Sequence, residues 1–364
     1  MKYGPEKSIY WIILIALALS FLGLRYLRYS AYVLPLVAIF WAILSGAFRF
    51  NLNRQNIPFL FLLIMSLPTV LDYDINAVKK IIFIAVYTSV FLFIDFSRVR
   101  LNLLFFSGIL VFLLFYQILV FGSSYGSGLS LEYSFIESRS SYESTLAFPL
   151  AIIGLYYFLT QKWALALIHF IVVVLALKRI AIIAFLLIVI VWIIPKSIRK
   201  IFLNPYVVTV SIALLTWVSI AFAYGYFDRL IISLFDKSAN ELSQGRQELW
   251  FQLLRGINYS FQDFIVYGEG IGQSITVLQS KWGLKNILTH NDILSLFVEI
   301  GLLAMIIFVF LINNQRSLEE RGMAVFITIL FLTDNVLIYQ HVMLVYLLVQ
   351  SQLANKNGTN RDTE

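Results

Sequence analysis

Residues 205–226 read PYVVTVSIALLTWVSIAFAYGY, a run of 22 residues without one charged side chain. A helix of that length rises about 33 Å, which is enough to cross the roughly 30 Å hydrocarbon core of a bilayer. Backbone groups in lipid must bond within the protein, so spanning segments are helices or the strands of closed β-barrels. Barrel strands alternate apolar and polar residues. This run does not alternate, so it predicts a membrane-spanning helix.

Similar apolar blocks recur along the chain. Apolar residues make up 60% of the 364 residues and charged residues 13%, about half of the charged share of a soluble domain. The pattern predicts an all-α polytopic membrane protein in which residues 1–364 form a single membrane domain. We predict about twelve transmembrane helices, at residues 9–24, 31–48, 57–71, 81–96, 101–121, 145–160, 163–177, 180–195, 205–226, 291–312, 322–337 and 339–354.

Composition also excludes several kinds of site. The chain has no cysteine, which excludes disulfides, thiolate nucleophiles and cysteine metal sites. The net charge of +7 is explained by basic residues that accumulate in cytoplasmic loops, so we expect no nucleic-acid partner. Asp72 and Asp74 could hold a divalent cation, but Lys79 and Lys80 are close enough in the sequence to neutralise them. We therefore predict no metal site and no cofactor.

The distribution of Lys and Arg predicts the orientation. If the N-terminus is inside, the cytoplasmic segments hold fourteen basic residues and the opposite short loops hold seven. Both termini are then inside, and two longer segments, 122–144 and 227–290, are outside. The second contains GRQELWFQLLRGI (245–257), whose apolar residues follow helical spacing. This spacing predicts an amphipathic helix at the membrane surface.

Two arginines are candidates for anion binding. Arg179 interrupts an apolar stretch. It is either a turn residue that reaches water together with Lys178 or an anion site that faces a wet cavity. Arg246 follows Gly245 and opens the amphipathic helix, where the helix amides attract anions. The alternative for Arg246 is a solvated helix face.

One histidine is a candidate general base. His290 lies where the long outer segment returns to the membrane. It is either a structural residue at the interface or a base, because imidazole titrates near neutrality. Asn291 beside it could orient a sugar or the imidazole. Thr289 and Asp292 resemble a capping box, which would explain part of the stretch without any chemistry.

Two further features have simpler explanations. YGEGIGQS (267–274) resembles a phosphate-binding loop, but it has no preceding strand and no Walker lysine. Flexible glycines before a re-entrant segment explain it. Arg139 is an external cation between Glu137 and Glu143. It is either ion-paired with them or a secondary contact for an anionic substrate.

The order of these residues resembles a known superfamily. An arginine at a junction of short spans is followed by GR-x-x-LW, a glycine-rich segment, HN-x-x-L and E-x-G. This order resembles the O-antigen polymerase and ligase superfamily, often called Wzy and WaaL. The likeness covers about residues 170–312, and the first 160 residues agree only in hydropathy. The matching positions are Arg179, Gly245, Arg246, Leu249, Trp250, Gly268, Gly270, Gly272, His290, Asn291, Leu294, Glu299 and Gly301.

The resemblance implies a metal-independent glycosyltransferase of the membrane-embedded C-type class, in the bacterial inner membrane with its site facing the periplasm. Its donor would be a glycan on undecaprenyl pyrophosphate and its acceptor a sugar hydroxyl. His290 would be the general base, while Arg179 and Arg246 would bind the pyrophosphate. The site would be a cavity between segment 227–290 and the helical bundle. Further substrate contacts would come from Arg139, Asn291, Gly245 and Trp250.

Three functions fit this reading. A polymerase, which the short Ile/Phe/Tyr-rich chain favours, would extend a lipid-linked repeat, and a ligase would instead transfer the glycan to lipid A-core. A flippase for lipid-linked oligosaccharides would be expected to show internal repeats or several charges inside its spans, and Asp334 is the main such charge. Glu299 lies about half a turn from His290 around the helix and is left out of the site. Expected partners are the lipid-linked oligosaccharide, membrane lipids and a chain-length regulator protein.

Overall fold

The computed structural model describes residues 5–22, 26–70, 74–96, 101–121, 133–134, 139–140, 144–257, 262–282 and 288–359. Helix accounts for 79% of the structure, which confirms the all-α class. Two-residue strands, β1 (Tyr133–Ser134) and β2 (Arg139–Ser140), pair antiparallel. One cluster of buried apolar side chains extends from Ile9 near the N-terminus to Leu353 near the C-terminus.

Eleven helices precede segment 227–290 in the described part of the chain. Their bounds are α1 Pro5–Ser20, α2 Ser30–Leu44, α3 Ile57–Met65, α4 Leu67–Val70, α5 Ile75–Phe93, α6 Leu103–Phe121, α7 Ala147–Leu159, α8 Trp163–Leu175, α9 Arg179–Ile193, α10 Lys196–Phe202 and α11 Pro205–Ala223. The remaining helices are α12 Asp228–Phe235, α13 Ala239–Leu242, α14 Arg246–Arg255, α15 Gln273–Trp282, α16 Asp292–Asn313, α17 Leu318–Phe331 and α18 Gln340–Thr359. A π-helix covers Gln262–Tyr267, and short 3-10 turns cover Leu27–Tyr29 and Val336–Ile338.

Among the described residues, three helices, α5, α11 and α16, are long and apolar enough to cross a membrane. Seven further apolar helices have 10–17 residues, fewer than the roughly 20 that a perpendicular span requires. The chain is therefore compatible with a membrane protein. All twelve predicted segments coincide with helices, but the number that cross the bilayer stays a prediction.

Segment 227–290 is helical and only partly peripheral. The predicted amphipathic helix is present as α14, which packs against α11 and buries Trp250, Leu253 and Leu254. Farther along, α15 contacts both α5 and α16. Part of this segment therefore lies within the helical bundle.

The glycine-rich segment is a packing motif. Gly268 and Gly272 have φ angles of 67° and 88°. A Cβ on Gly268 would lie 2.4 Å from the backbone carbon of Glu299, and one on Gly272 would lie 2.5 Å from the backbone nitrogen of Ala77. The expectation of flexible glycines is wrong, because these two positions let the segment approach the backbones of α16 and α5.

A break inside α16 receives this segment. Gly301 has non-helical angles, φ 78° and ψ 167°. The amides of Glu269 and Gly270 donate to the carbonyls of Val298 and Glu299, at 2.8 and 2.9 Å. These bonds satisfy carbonyls next to the break, since buried backbone groups need partners. They also tie the glycine-rich segment to the helix that begins beside His290.

A buried ion pair joins α5 to α16. Lys80 Nζ lies 2.7 Å from Glu299 Oε2, and the two side chains are 4% and 0% exposed. Ser274 and Ser295 hydrogen-bond the same carboxylate. The predicted start of this span at residue 81 is wrong, because α5 begins at Ile75 and carries Lys80 into the bundle. Glu299 is engaged in this pair, away from the candidate site described below.

Candidate active site

A cavity of about 730 Å³ lies between segment 227–290 and the bundle. Helices α9, α11, α12 and α14 and the turn after α17 form its walls. Its charged lining residues are Lys178, Arg179, Arg246 and Asp334. Its apolar lining residues include Ile180, Ile183, Val218, Phe222, Leu230, Ile231, Leu234 and Phe235. The cavity thus joins a charged region to an apolar wall.

Lys178 and Arg179 are placed by the tight turn between α8 and α9. Leu177 has a φ of 48°, and Arg179 is the first residue of α9. The ammonium of Lys178 lies 5.6 Å from the centre of the Phe148 ring, a cation–π distance. Arg179 is therefore a turn residue that also lines the cavity, and its role as an anion site stays a prediction.

Arg246 enters the cavity from the opposite wall. It is the first residue of α14 and follows Gly245, whose φ of 84° makes the turn into the helix. A glycine adopts this left-handed conformation without the penalty that an L side chain pays. The Arg246 guanidinium donates to the Thr333 carbonyl oxygen at 3.1 Å. This bond ties α14 to the turn that carries Asp334.

His290 adjoins Asp334 at this turn. Its Nδ1 lies 3.6 Å from Asp334 Oδ1, and its side chain is 45% exposed. His290 has a φ of 50°, in the left-handed region that non-glycine residues rarely adopt. Such a conformation costs about 1–3 kcal/mol and persists where the surroundings enforce it. His290 is thus an accessible imidazole held beside a carboxylate.

The neighbours of His290 fix its backbone. The Trp250 indole N–H donates to the Thr289 carbonyl oxygen at 2.8 Å, and the Thr289 hydroxyl donates to Asn335 Oδ1 at 3.0 Å. Asn291 is buried and accepts from the Leu294 amide at 2.8 Å. Asn291 is therefore the N-cap of α16, and the expected Thr289–Asp292 capping box is wrong.

These bonds show what the side chains of Asn291 and Trp250 do in the fold. The Asn291 oxygen is engaged by the helix, and the Trp250 indole nitrogen is engaged by the backbone before His290. The Trp250 ring also lines the cavity. Both residues position the imidazole, and Trp250 in addition contributes surface to the site.

Asp334 is the site residue that sequence reasoning missed. Burial favours its neutral form, but the His290 imidazole and the positive charge of Lys178 outweigh burial and hold the pKa of Asp334 below its ordinary value. Asp334 is therefore ionised at neutral pH. The signal that could have found it was an acidic residue inside an otherwise apolar segment.

The remaining candidates are Arg139 and the pair Asp72 and Asp74. Arg139 belongs to β2, and its side chain lies outside the described residues. Asp74 caps α5 by accepting from the Asn76 amide at 2.7 Å, and its second oxygen accepts from the Thr276 hydroxyl at 2.6 Å. Asp72 lies outside the described residues. Within the described ranges, His, Asp and Glu form no group of three or more that could hold a metal ion.

Comparison with known proteins leaves the family open. No protein-family model matches the chain, and no curated protein matches it either. The likeness to the O-antigen polymerase and ligase superfamily thus remains a resemblance of motifs. The geometry of His290, Asp334 and the three basic residues is the basis for assigning a function.

Proposed function

We propose that this chain is a membrane glycosyltransferase that moves a glycan from undecaprenyl pyrophosphate to a sugar hydroxyl, as an O-antigen polymerase does. The observation that carries the proposal is one cavity lined by Lys178, Arg179 and Arg246 with an extended apolar wall. A polyprenyl pyrophosphate has the same division into an anionic head and an apolar tail. The cavity volume of about 730 Å³ lies within the range of small-molecule sites.

The basic residues supply the electrostatic part of the mechanism. Arg179 and Arg246 can each present two N–H donors to phosphate oxygens, and Lys178 adds a third positive charge. Negative charge grows on the bridging oxygen as the sugar–phosphate bond breaks. Cations held in advance around that oxygen stabilise the transition state more than the ground state. Undecaprenyl pyrophosphate would then leave as a stabilised anion, so the proposed mechanism requires no metal ion.

The His290–Asp334 pair supplies the base. With Nδ1 facing Asp334, the Nε2 atom is available to accept the proton of an acceptor hydroxyl. The hydroxyl oxygen bonds to the anomeric carbon while the carbon–oxygen bond to pyrophosphate breaks, and that electron pair leaves with the phosphate. Asp334 stabilises the imidazolium that forms. This step needs a carboxylate that stays ionised at neutral pH, which agrees with the lowered pKa of Asp334.

The lipid tail would lie along α12. Leu230, Leu234 and Phe235 line the cavity and are also exposed, so they form a continuous apolar surface from the site to the outside of the protein. We place the chain in the bacterial inner membrane with this site on the periplasmic face, because the Lys and Arg bias favours that orientation. Membrane lipids and a chain-length regulator protein are the proposed partners.

A ligase and a flippase are the alternative functions. A ligase would use the same base and cations with lipid A-core as acceptor. A flippase would use the cations but has no need of a base held beside a carboxylate. The His290–Asp334 geometry therefore favours transfer over transport, and the composition of the chain favours the polymerase.

A glycan ladder tests the polymerase proposal. The gene would be deleted in its host, and the surface polysaccharide would be separated on a gel. We expect loss of the ladder with one repeat still attached to core, and restoration by wild type but not by His290→Ala. Loss of the single repeat as well would favour a ligase or flippase, and an unchanged ladder would refute all three functions.

A further inference from the structure

A second cavity, of about 440 Å³, lies at the other end of α16 from His290. Because α16 has 22 residues, the two ends are about 33 Å apart. We call this second space the amide cavity, after the carboxamide side chains that line it: Asn51, Asn53, Gln55, Gln315 and Asn355. It differs from the candidate active site because polar side chains, carboxamides above all, make up most of its lining.

Glu320 is a buried acid of the amide cavity. The residue is 3% exposed and lines the cavity. Its backbone amide donates a hydrogen bond to the Ser317 hydroxyl oxygen, and its backbone carbonyl accepts one from the Gln350 side-chain amide. Its carboxylate makes no hydrogen bond or ion pair with any described residue. A buried carboxylate is unfavourable unless a cation or several donors compensate it, so this side chain requires a positively charged partner.

Gln315 is a second buried polar residue of the lining. It is 0% exposed and also lines the cavity. Its amide nitrogen donates to the carbonyl oxygens of Ile312 and Arg54, at 2.9 and 3.4 Å. Its side-chain oxygen has no hydrogen-bond partner among the described residues. That oxygen is itself buried, so the acceptor that the inner part of the cavity presents to a group with N–H donors is the Glu320 carboxylate.

The cavity also holds two arginines and a second acid, the half-buried Asp95. Arg54 and Arg316 line it and are exposed, whereas Glu320 and Gln315 are buried. Guanidinium groups at an entrance suit a phosphate, whose oxygens they bond in pairs. A ligand that satisfies both parts carries an ammonium at one end and a phosphate a short distance away.

We propose that the amide cavity binds a phosphoethanolamine group, with its ammonium at Glu320 and its phosphate at Arg54 and Arg316. The ammonium supplies three N–H donors, and the Glu320 carboxylate can accept from them. The group can come from the headgroup of phosphatidylethanolamine or from a free phosphoethanolamine. This binding site is separate from the glycosyl-transfer site and does not depend on that function.

Lipid selectivity of the wild-type chain tests the proposal without any substitution. Purified protein in detergent would be titrated with dioctanoyl phosphatidylethanolamine, phosphatidylcholine and phosphatidylglycerol and with phosphoethanolamine, and complexes counted by native mass spectrometry. We expect the ethanolamine lipid to bind roughly 10- to 100-fold more tightly than the other two lipids, because choline has no N–H donor and glycerol has no charge. Equal binding of the three lipids would overturn the proposal. If free phosphoethanolamine bound as tightly as the ethanolamine lipid, the proposal would hold with a soluble ligand. If only the lipid bound, the proposal would hold with the membrane as the source of the ligand.

A matched pair of variants localises the effect. Glu320→Gln keeps the shape of the side chain but removes the charge, and it should abolish the preference for ethanolamine over choline. Glu319→Gln should not, because Glu319 lies on the same turn but does not line the cavity. An unchanged preference in Glu320→Gln would refute the assignment. A calcium or sodium chloride titration would test for a metal-cation site instead. The proposal would be overturned if wild type bound the metal ion and showed no preference for ethanolamine, and if Glu320→Gln no longer bound the ion.

Discussion

The imidazole of His290 and the carboxylate of Asp334 lie 3.6 Å apart although 44 positions separate them in the sequence. His290 ends the long segment before α16, and Asp334 lies in the turn after α17. The Asp292 amide donates to the Asp334 carbonyl oxygen at 3.3 Å, which holds the two turns together. The proposed chemistry depends on this contact and on the three cations of the cavity that Asp334 lines.

Removal of the imidazole should abolish glycosyl transfer. We expect His290→Ala to lower the transfer rate by roughly 10²- to 10⁴-fold, the usual contribution of a general base. Binding of the lipid-linked donor should persist, because the basic residues remain. Transfer would be measured with purified protein and donor binding by a separate titration. Wild-type activity in this variant would remove the base assignment.

Asp334 should act through His290. Asp334→Asn should lower kcat by about 10-fold or more and leave KM nearly unchanged, since the substitution disturbs the imidazole and not the basic residues. The double variant with His290→Ala should be no slower than His290→Ala alone, because the two residues form one unit. Additive losses in the double variant would mean that Asp334 has an independent role.

The fork of Arg246 should matter as well as its charge. Arg246→Lys retains a positive charge but loses the paired donors to phosphate and the geometry of its bond to the Thr333 carbonyl. We expect kcat/KM to fall by roughly 10- to 100-fold. Arg255→Lys is the matched control, because Arg255 is the exposed last residue of the same helix. If both variants behaved as wild type, Arg246 would be a solvated surface residue.

Gly272 should be required for packing. In Gly272→Ala the added Cβ would lie 2.5 Å from the Ala77 backbone nitrogen, and we expect a loss of stability of more than about 2 kcal/mol. Gly46→Ala is the control. Gly46 also has a positive φ, 70°, but a Cβ there would meet no atom within 4 Å. Thermal unfolding of both purified variants would measure the difference, and equal melting temperatures would contradict the close approach.

Chelation should leave the activity unchanged. The proposed charge stabilisation comes from Lys178, Arg179 and Arg246, which line the cavity. We therefore expect the same transfer rate before and after EDTA treatment. A loss that added magnesium restores would show that a divalent cation assists departure of the pyrophosphate.

Local patterns were sufficient for the helices and for three residues of the candidate site. Apolar runs of helical length indicated each of the twelve segments, and Arg179, Arg246 and His290 each stood out against their immediate neighbours. Asp334 did not, because its importance comes from a partner 44 positions away. The charge of Lys80 also misled the prediction of where α5 begins. The helix begins at Ile75, six residues before the predicted start at residue 81. Lys80 there is compensated by Glu299 on another helix.

The packing glycines show a second limit. Left-handed turns can be anticipated from glycine, but contact with a particular backbone depends on the tertiary fold. Gly268 contacts α16 and Gly272 contacts α5. No pattern of residues around the glycines indicates which helix each of them contacts. The amide cavity has the same character, since Glu320 and Gln315 acquire their significance only from burial.

Transfer by the isolated protein tests the central claim most directly. The purified chain would be placed in liposomes with a synthetic undecaprenyl-pyrophosphate-linked repeat, and products would be followed by gel and by release of undecaprenyl pyrophosphate. We predict that wild type joins repeats and releases the lipid, and that His290→Ala binds the donor but does neither. Release by both proteins, or by neither, would contradict the assignment of this cavity as a glycosyl-transfer site.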